Sequence, residues 1–179
     1  RYTDDTAVEN LEIGGRNLYK ESATIKTYIK GSDHGNASSW SNIVEDGVEF
    51  TRITPKNDGN FYFYPVFHST PFTIFQGEEY TVSFEYRHNK DANIGLYNYL
   101  LAPAISRQIP PSENWTKFIA TYPVTADKTT SSQLFGFANL VAGQTFDIKN
   151  LKLEKGTKAT DWTPAPEDVQ AAIDAAVVK

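Results

Sequence analysis

Apolar and polar residues alternate most cleanly at Glu79–His88 (EYTVSFEYRH), with Tyr80, Val82, Phe84 and Tyr86 on one face. Thr81, Ser83, Glu85 and Arg87 fall on the other, and a period of two marks a half-buried β-strand. Asn93–Leu101 (NIGLYNYLL) repeats it, with Ile94, Leu96 and Leu100 opposite Tyr97 and Tyr99. Trp115–Val124 turns Phe118, Ala120, Tyr122 and Val124 one way. Asn60–Phe67 (NFYFYPVF) is nearly all aromatic, and Pro65 marks an edge or a bulge because it cannot donate to a ladder. Gln133–Leu140 and Phe146–Glu154 complete the stronger strands. Arg16–Lys20, Trp40–Val44 and Val48–Ile53 are shorter, the last two joined by the tight turn Glu45-Asp46-Gly47. About eight or nine short strands, with turn signals between them and no helix before residue 164, predict an all-β antiparallel β-sandwich.

The pattern changes after Trp162. Thr163-Pro164-Ala165-Pro166 removes two backbone donors and forces extended geometry. Beyond it Val169, Ala172, Ile173, Ala176 and Val177 recur at the spacing of one helical face. About three turns are not stable alone in water, so this short C-terminal helix either packs on the domain or begins a longer helix or coiled coil. The second is favoured here. Three segments follow: an acidic linker over 1–15, a β-module over 16–163, and a proline hinge with the start of a helix over 164–179. The polar opening RYTDDTAVEN, with no initiator Met, is the start expected of a piece of a longer polypeptide.

Composition removes several functions. The net charge is -5 and no basic stripe interrupts the sequence, which disfavours a nucleic-acid partner. No run approaches the ~20 apolar residues of a membrane span, so no membrane insertion is expected. There is no cysteine, hence no disulfide, thiolate metal site or thiol nucleophile. His34, His68 and His88 are scattered, and no H-E-x-x-H, G-x-S-x-G or P-loop is present. Glu85 with Glu49 or Asp147 is the conceivable carboxylate pair of a glycosidase, but alternation makes them solvated face residues. No enzyme is expected.

The ending resembles a known family. Lys152-Leu153-Glu154-Lys155-Gly156, then Trp162-Thr163-Pro164-Ala165-Pro166-Glu167-Asp168, is similar to the close of carbohydrate-binding-module-like jelly-roll domains. These are the domains found in tail and baseplate proteins of phages that infect Gram-positive bacteria. The opening IGGRNLYKES, the strand Gly77–Phe84 and the start Asn114-Trp115-Thr116-Lys117 conform to the same module. The resemblance covers roughly residues 13 to 168 and implies a jelly roll that either binds host-surface saccharide or decorates the tail. Its signature residues, Trp115 and Trp162 among them, are structural ones.

For a sugar, the informative residues are aromatics on strand faces that point away from the core. A saccharide ring presents an apolar C–H face and a rim of hydroxyls, which suits flat aromatics flanked by polar side chains. Among the 11 Phe, 10 Tyr and 3 Trp, alternation turns Tyr97 and Tyr99 outward. It turns Tyr62 and Tyr64 outward too, leaving Phe61, Phe63 and Phe67 in the core. If successive strands alternate between sheets, the Trp40, Asn60, Asn93 and Gln133 strands share one sheet, with Trp40 as a rim platform. Asn139, on the face of Phe135 and Phe137, is the polar candidate beside the tyrosines. Jelly-roll sugar binders commonly hold a structural calcium; Glu21 and Asp147 are the candidate ligands, without a dense acidic cluster to support them, and no other cofactor is expected.

The expected function is therefore a non-catalytic carbohydrate-binding module of a phage or prophage tail protein, on the virion, adhering to host cell-wall saccharide. Its partners would include other tail or baseplate proteins, and a homotrimer formed through the C-terminal helix. The alternative is a structural spacer of the tail that binds no saccharide.

Overall fold

The computed structural model describes residues 15–29, 39–90, 93–98, 107–131 and 135–177. Its strands are β1 (Ser39–Glu45), β2 (Val48–Thr54), β3 (Gly59–Phe63), β4 (Phe72–Ile74), β5 (Glu79–His88) and β6 (Ile94–Asn98). Then follow β7 (Arg107–Ile109), β8 (Ser112–Pro123), β9 (Lys128–Thr130), β10 (Phe135–Leu140) and β11 (Phe146–Lys155). A helix, α1, spans Pro166–Val177. Every strand pair is antiparallel. A five-stranded sheet runs β1-β2-β11-β5-β8, a four-stranded sheet runs β3-β10-β6-β7, and β4 with β9 forms a separate ribbon.

The two larger sheets are held face to face by rings. On β5, Tyr80, Val82, Phe84 and Tyr86 are buried, as alternation predicts, and on β3 Phe61 and Phe63 are fully buried. Phe137 of the four-stranded sheet reaches Phe146 of the other at 4.5 Å between centroids, and Phe84 at 6.1 Å. Offset and edge-on ring pairs of this kind add to the area they bury, so aromatics span a gap that smaller side chains leave open. Methionine, the usual gap filler, is absent from the chain.

Three departures from the expected strands have local causes. Arg16–Lys20 is not a strand. Its one β-contact is a bridge from Tyr19 to Phe67, because Asn17 diverts the chain into a buried knot. The three-residue strands β4, β7 and β9 are too short for a period to be legible. β3 ends at Phe63, two residues before Pro65, and is an edge strand as the proline implies.

The closing signature is structural. A bulge at Asn150, whose φ is 57°, shifts the parity of β11, so that Phe146 and Ile148 face inward before it and Leu151 and Leu153 after it. Lys152 and Glu154 are thereby turned away from the core. Yet both are buried, because residues 156–162 fold back over them. The Lys152 ammonium donates to Thr160 Oγ1 and to the Asp161 carbonyl, both at 2.8 Å. Glu154 accepts from Thr160 N at 3.0 Å and from its hydroxyl at 2.7 Å. Burial pulls the Lys152 pKa down, against the pull of Glu154. Trp162 closes the strap by donating its indole N–H to the Leu151 carbonyl at 3.1 Å.

The opening signature locks into the same strap. Asn17 is fully buried; its amide nitrogen donates to Ser22 Oγ, Leu151 O and Thr163 O, and its oxygen accepts from the Tyr19 and Leu153 amides. The first turn of α1 is anchored too. Glu167 pairs with Arg16 and lies 3.3 Å from His68 Nδ1, Asp168 accepts from the Glu21 amide, and Ala165 is fully buried. Beyond that turn no residue of the helix is buried.

Candidate functional site

β10 lies between β3 and β6 in the four-stranded sheet, so the Asn60, Asn93 and Gln133 stretches contribute to one sheet as expected. Gly136 pairs with Tyr62 on one side and with Tyr97 on the other, and the three residues form a single row across the sheet. Phe135 and Phe137, on either side of Gly136, are fully buried, as are Phe61 and Phe63 beside Tyr62, which puts Gly136 and Tyr62 on the outer face.

The absence of a side chain at Gly136 shapes that face. A Cβ built there would lie 2.7 Å from Tyr62 Cδ1 and 2.9 Å from Cε1, so the edge of the Tyr62 ring closes over the glycine. The ring is half-buried, resting on the sheet with its remaining surface toward solvent. Asn60 Nδ2 donates to the Tyr62 hydroxyl at 3.1 Å, which orients the phenol. Around the row, Gly95 and Ala138 keep the central strands low, and the exposed Gln108 pairs with Gly95 on β7. The result is an aromatic shelf over small residues with amide side chains at its margins. Gly136, Asn60 and Gln108 do not stand out in the linear sequence; the cue to Gly136 is a lone glycine within an apolar run, a known mark of close approach in a strand.

The other expected site residues divide. Tyr64 is half-buried just past the end of β3, its amide donating to the Tyr28 carbonyl at 3.0 Å. Tyr97 lies on β6 in register with Gly136, and Tyr99 lies outside the described residues.

Trp40 is not part of this face. Its strand, β1, pairs with β2 in the five-stranded sheet, and Trp40 sits opposite Ile53 and packs against the core. The cause is the hairpin turn at Asp46-Gly47, which keeps β1 and β2 as neighbours in one sheet.

Asn139 does not share the face of Phe135 and Phe137. It is exposed at a bulge between Phe137 and Leu140, with φ at 63°, and the Lys90 ammonium donates to its carbonyl.

Glu21 and Asp147 do not form a calcium site. Asp147 is only 1% exposed and binds two guanidinium groups: Arg52 through Nε and Nη2 at 2.8 and 2.9 Å, and Arg87 through Nε at 2.7 Å. Two fixed positive charges there oppose a bound cation. Of the other carboxylates considered for catalysis, Glu85 accepts from Asn150 Nδ2 at 2.7 Å and Glu49 from Asn42 Nδ2 at 3.0 Å. Among the described residues no group of three His, Asp or Glu is placed to hold a metal ion, and no helix is long and apolar enough to cross a membrane.

The chain matches no protein-family model and no curated protein sequence. Solved structures do match it. A crystal structure described as a putative sugar binding protein from Bacteroides thetaiotaomicron superimposes with a TM-score of 0.50 at 10% identity, over 79% of this chain and 100% of that one. The fold is a jelly-roll β-sandwich. The CBM22-1 and GH10 modules of a Clostridium thermocellum endo-1,4-beta-D-xylanase, complexed with xylohexaose, give 0.51 at 12% identity. That match spans 80% of this chain but 29% of the xylanase chain. The enzymatically active domain of tailspike protein 4 of bacteriophage CBA120 also gives 0.51 at 12% identity, over 80% of this chain and 22% of that one. Carbohydrate-binding modules recur among the neighbours, and at these identities the likeness is one of fold.

Proposed function

We propose that this chain is a non-catalytic saccharide-binding module of a phage or prophage tail protein, helping the virion adhere to host cell-wall polysaccharide. The observation that carries this reading is the Tyr62 ring closing over Gly136 on the outer face of the four-stranded sheet, with Tyr97 of β6 in register with that glycine. A half-buried phenol ring whose edge lies over a glycine and whose hydroxyl accepts from Asn60 leaves aromatic surface at the sheet face, and the C–H face of a sugar packs on aromatic surface. The neighbour described as a putative sugar binding protein supports the ligand class, and the bacteriophage tailspike supports the setting. Single contacts of this kind are weak, and several copies on one tail raise avidity.

The test is calorimetric titration with host cell-wall polysaccharide, alongside a glycan array. Tyr62→Ala combined with Tyr97→Ala is expected to remove saturable binding while the chain stays folded. Undiminished binding by the double variant would exclude this face.

A second reading, a tail spacer that trimerises and binds no saccharide, is favoured by one observation. The first turn of α1 is fixed to the domain, while Val169, Ile173 and Val177 are 45%, 51% and 77% exposed along one side of the helix. The two readings differ in whether saccharide binds, and the titration separates them.

A further inference from the structure

A second cleft, of about 280 Å³, lies on the opposite side of the molecule from Tyr62, at one end of the five-stranded sheet. Its lining includes Arg52, Arg87, Asn89, Glu113, Thr145 and Asp147. Room for it comes from a break in pairing: between Tyr86 and His88 the β5–β8 ladder shifts register, and Glu113 falls within the looped-out stretch.

The two arginines, Asp147 and Asn89 of this cleft are held before any ligand arrives. Asp147 pairs with Arg52 on β2 and with Arg87 on β5, which places its two guanidinium partners on either side of it. Below them Phe50 is fully buried, its ring centroid 5.5 Å from Arg52 Cζ and 5.1 Å from Arg87 Cζ. Arg87 Cζ also lies 4.8 Å from the Trp115 ring, and its Nη2 donates to Glu45 at 3.1 Å. Ring contacts and ion pairs together fix both guanidinium planes. The bonds to Asp147 and Glu45 use Nε and Nη2 and leave Nη1 of each arginine for a ligand. Asn89 is ordered by its own bond, its Oδ1 accepting from the Thr145 amide at 2.8 Å, so Nδ2 is its remaining donor. Glu113 is exposed and supplies an acceptor.

We propose that this cleft binds one neutral sugar ring through its hydroxyl groups. The charges select the class. Two arginines face Asp147 and Glu113 in the lining, so an anion gains no net attraction and meets the Glu113 carboxylate, while a cation meets two guanidiniums. A hydroxyl both donates and accepts, so neighbouring hydroxyls satisfy donor-only Arg Nη1 and acceptor-only Glu113 together. Among the described residues no Phe, Tyr or Trp lines the cleft, so recognition is by the hydroxyl rim rather than by stacking. Its volume is just below the roughly 300–1,000 Å³ of pockets for larger ligands, which suits a single ring. This site is independent of the tyrosine shelf.

The test is an amide NMR titration of the whole chain with D-glucose, D-galactose, N-acetyl-D-glucosamine and L-rhamnose, and separately with D-glucuronate and inorganic phosphate. At least one neutral sugar is expected to give saturable shifts at Asn89, Ser112 and Thr145, with a roughly millimolar Kd. Glu113→Ala is expected to weaken that binding about tenfold, the size of one lost charge-assisted hydrogen bond. Arg52→Gln is expected to weaken it too, with the dispersed spectrum of a folded chain as control. Tyr62→Ala, on the other sheet, is expected to leave it unchanged, so a failure here and a failure of the tyrosine shelf are read separately. Glucuronate or phosphate binding as tightly as the neutral sugars would overturn the ligand class. Shifts confined to β3, β10 and β6, or no loss in Glu113→Ala, would overturn the site.

Discussion

Tyr62 occupies the space that a side chain at Gly136 would fill, its Cδ1 lying 2.7 Å from where that Cβ would be. The backbone at Gly136 is ordinary strand, so Ala is conformationally allowed there, and the phenol ring has to lift. Gly136→Ala is therefore expected to keep the fold within about 1 kcal/mol while weakening polysaccharide binding about tenfold. Calorimetric titration together with chemical denaturation checks both halves. A variant that binds as the parent does would show that the lowered ring is not what the ligand uses.

Asn17 makes five hydrogen bonds from a fully buried amide. Asn17→Ala leaves the Tyr19 and Leu153 amides and two carbonyls without that partner. A loss of about 2–4 kcal/mol in unfolding free energy is expected from urea denaturation.

Thr160 stands between two buried charges, accepting from Lys152 and donating to Glu154 with the same hydroxyl. Thr160→Val keeps the shape and removes that link. It is expected to cost about 1–3 kcal/mol, and faster proteolysis of the 156–162 strap would report the loosening.

His88 is buried, stacked on Phe146 at 5.9 Å, with Nε2 3.2 Å from the Ile109 carbonyl. Burial holds its pKa below the ordinary histidine value, and burial together with Arg16 does the same at His68. The unfolded chain then binds more protons than the folded one just below about pH 6.5, so stability falls as pH drops through that window. The thermal midpoint is expected to be lower at about pH 5 than at about pH 7.5. His88→Phe should narrow the difference, and an unchanged difference would remove His88 as a contributor.

The stripe Val169–Ile173–Val177 on α1 is exposed, while the first turn is fixed by Arg16 and Glu21. If the helix assembles trimers, Ile173→Asp is expected to give monomers in sedimentation without shifting the thermal midpoint of the domain. Monomers in both parent and variant would exclude that role for this length of helix.

Much of the sandwich is legible along the chain. Alternation at Glu79–His88 and Trp115–Val124 identifies strands and their buried faces, because a pleated strand turns successive side chains to opposite sides whatever its neighbours. The placing of Phe61, Phe63 and Phe67 inside, with Tyr62 and Tyr64 less buried, rests on the same local rule. The helical period after Pro166 is local in the same way, set by about 3.6 residues per turn. Which sheet a strand joins is not local. Trp40 has an acceptable strand pattern, yet its hairpin carries it to the five-stranded sheet. Bulges reset the parity at Asn139 and Asn150, and nothing in a period of two announces them. Asp147 reads as a free carboxylate until β2 and β5 bring an arginine to each side of it. By itself the sequence determined strand faces and the aromatic core, since both follow from side chains alternating along one strand. Only the tertiary structure decided the tyrosine shelf over Gly136 and the arginine cleft, because each is assembled from strands far apart in sequence and paired by register.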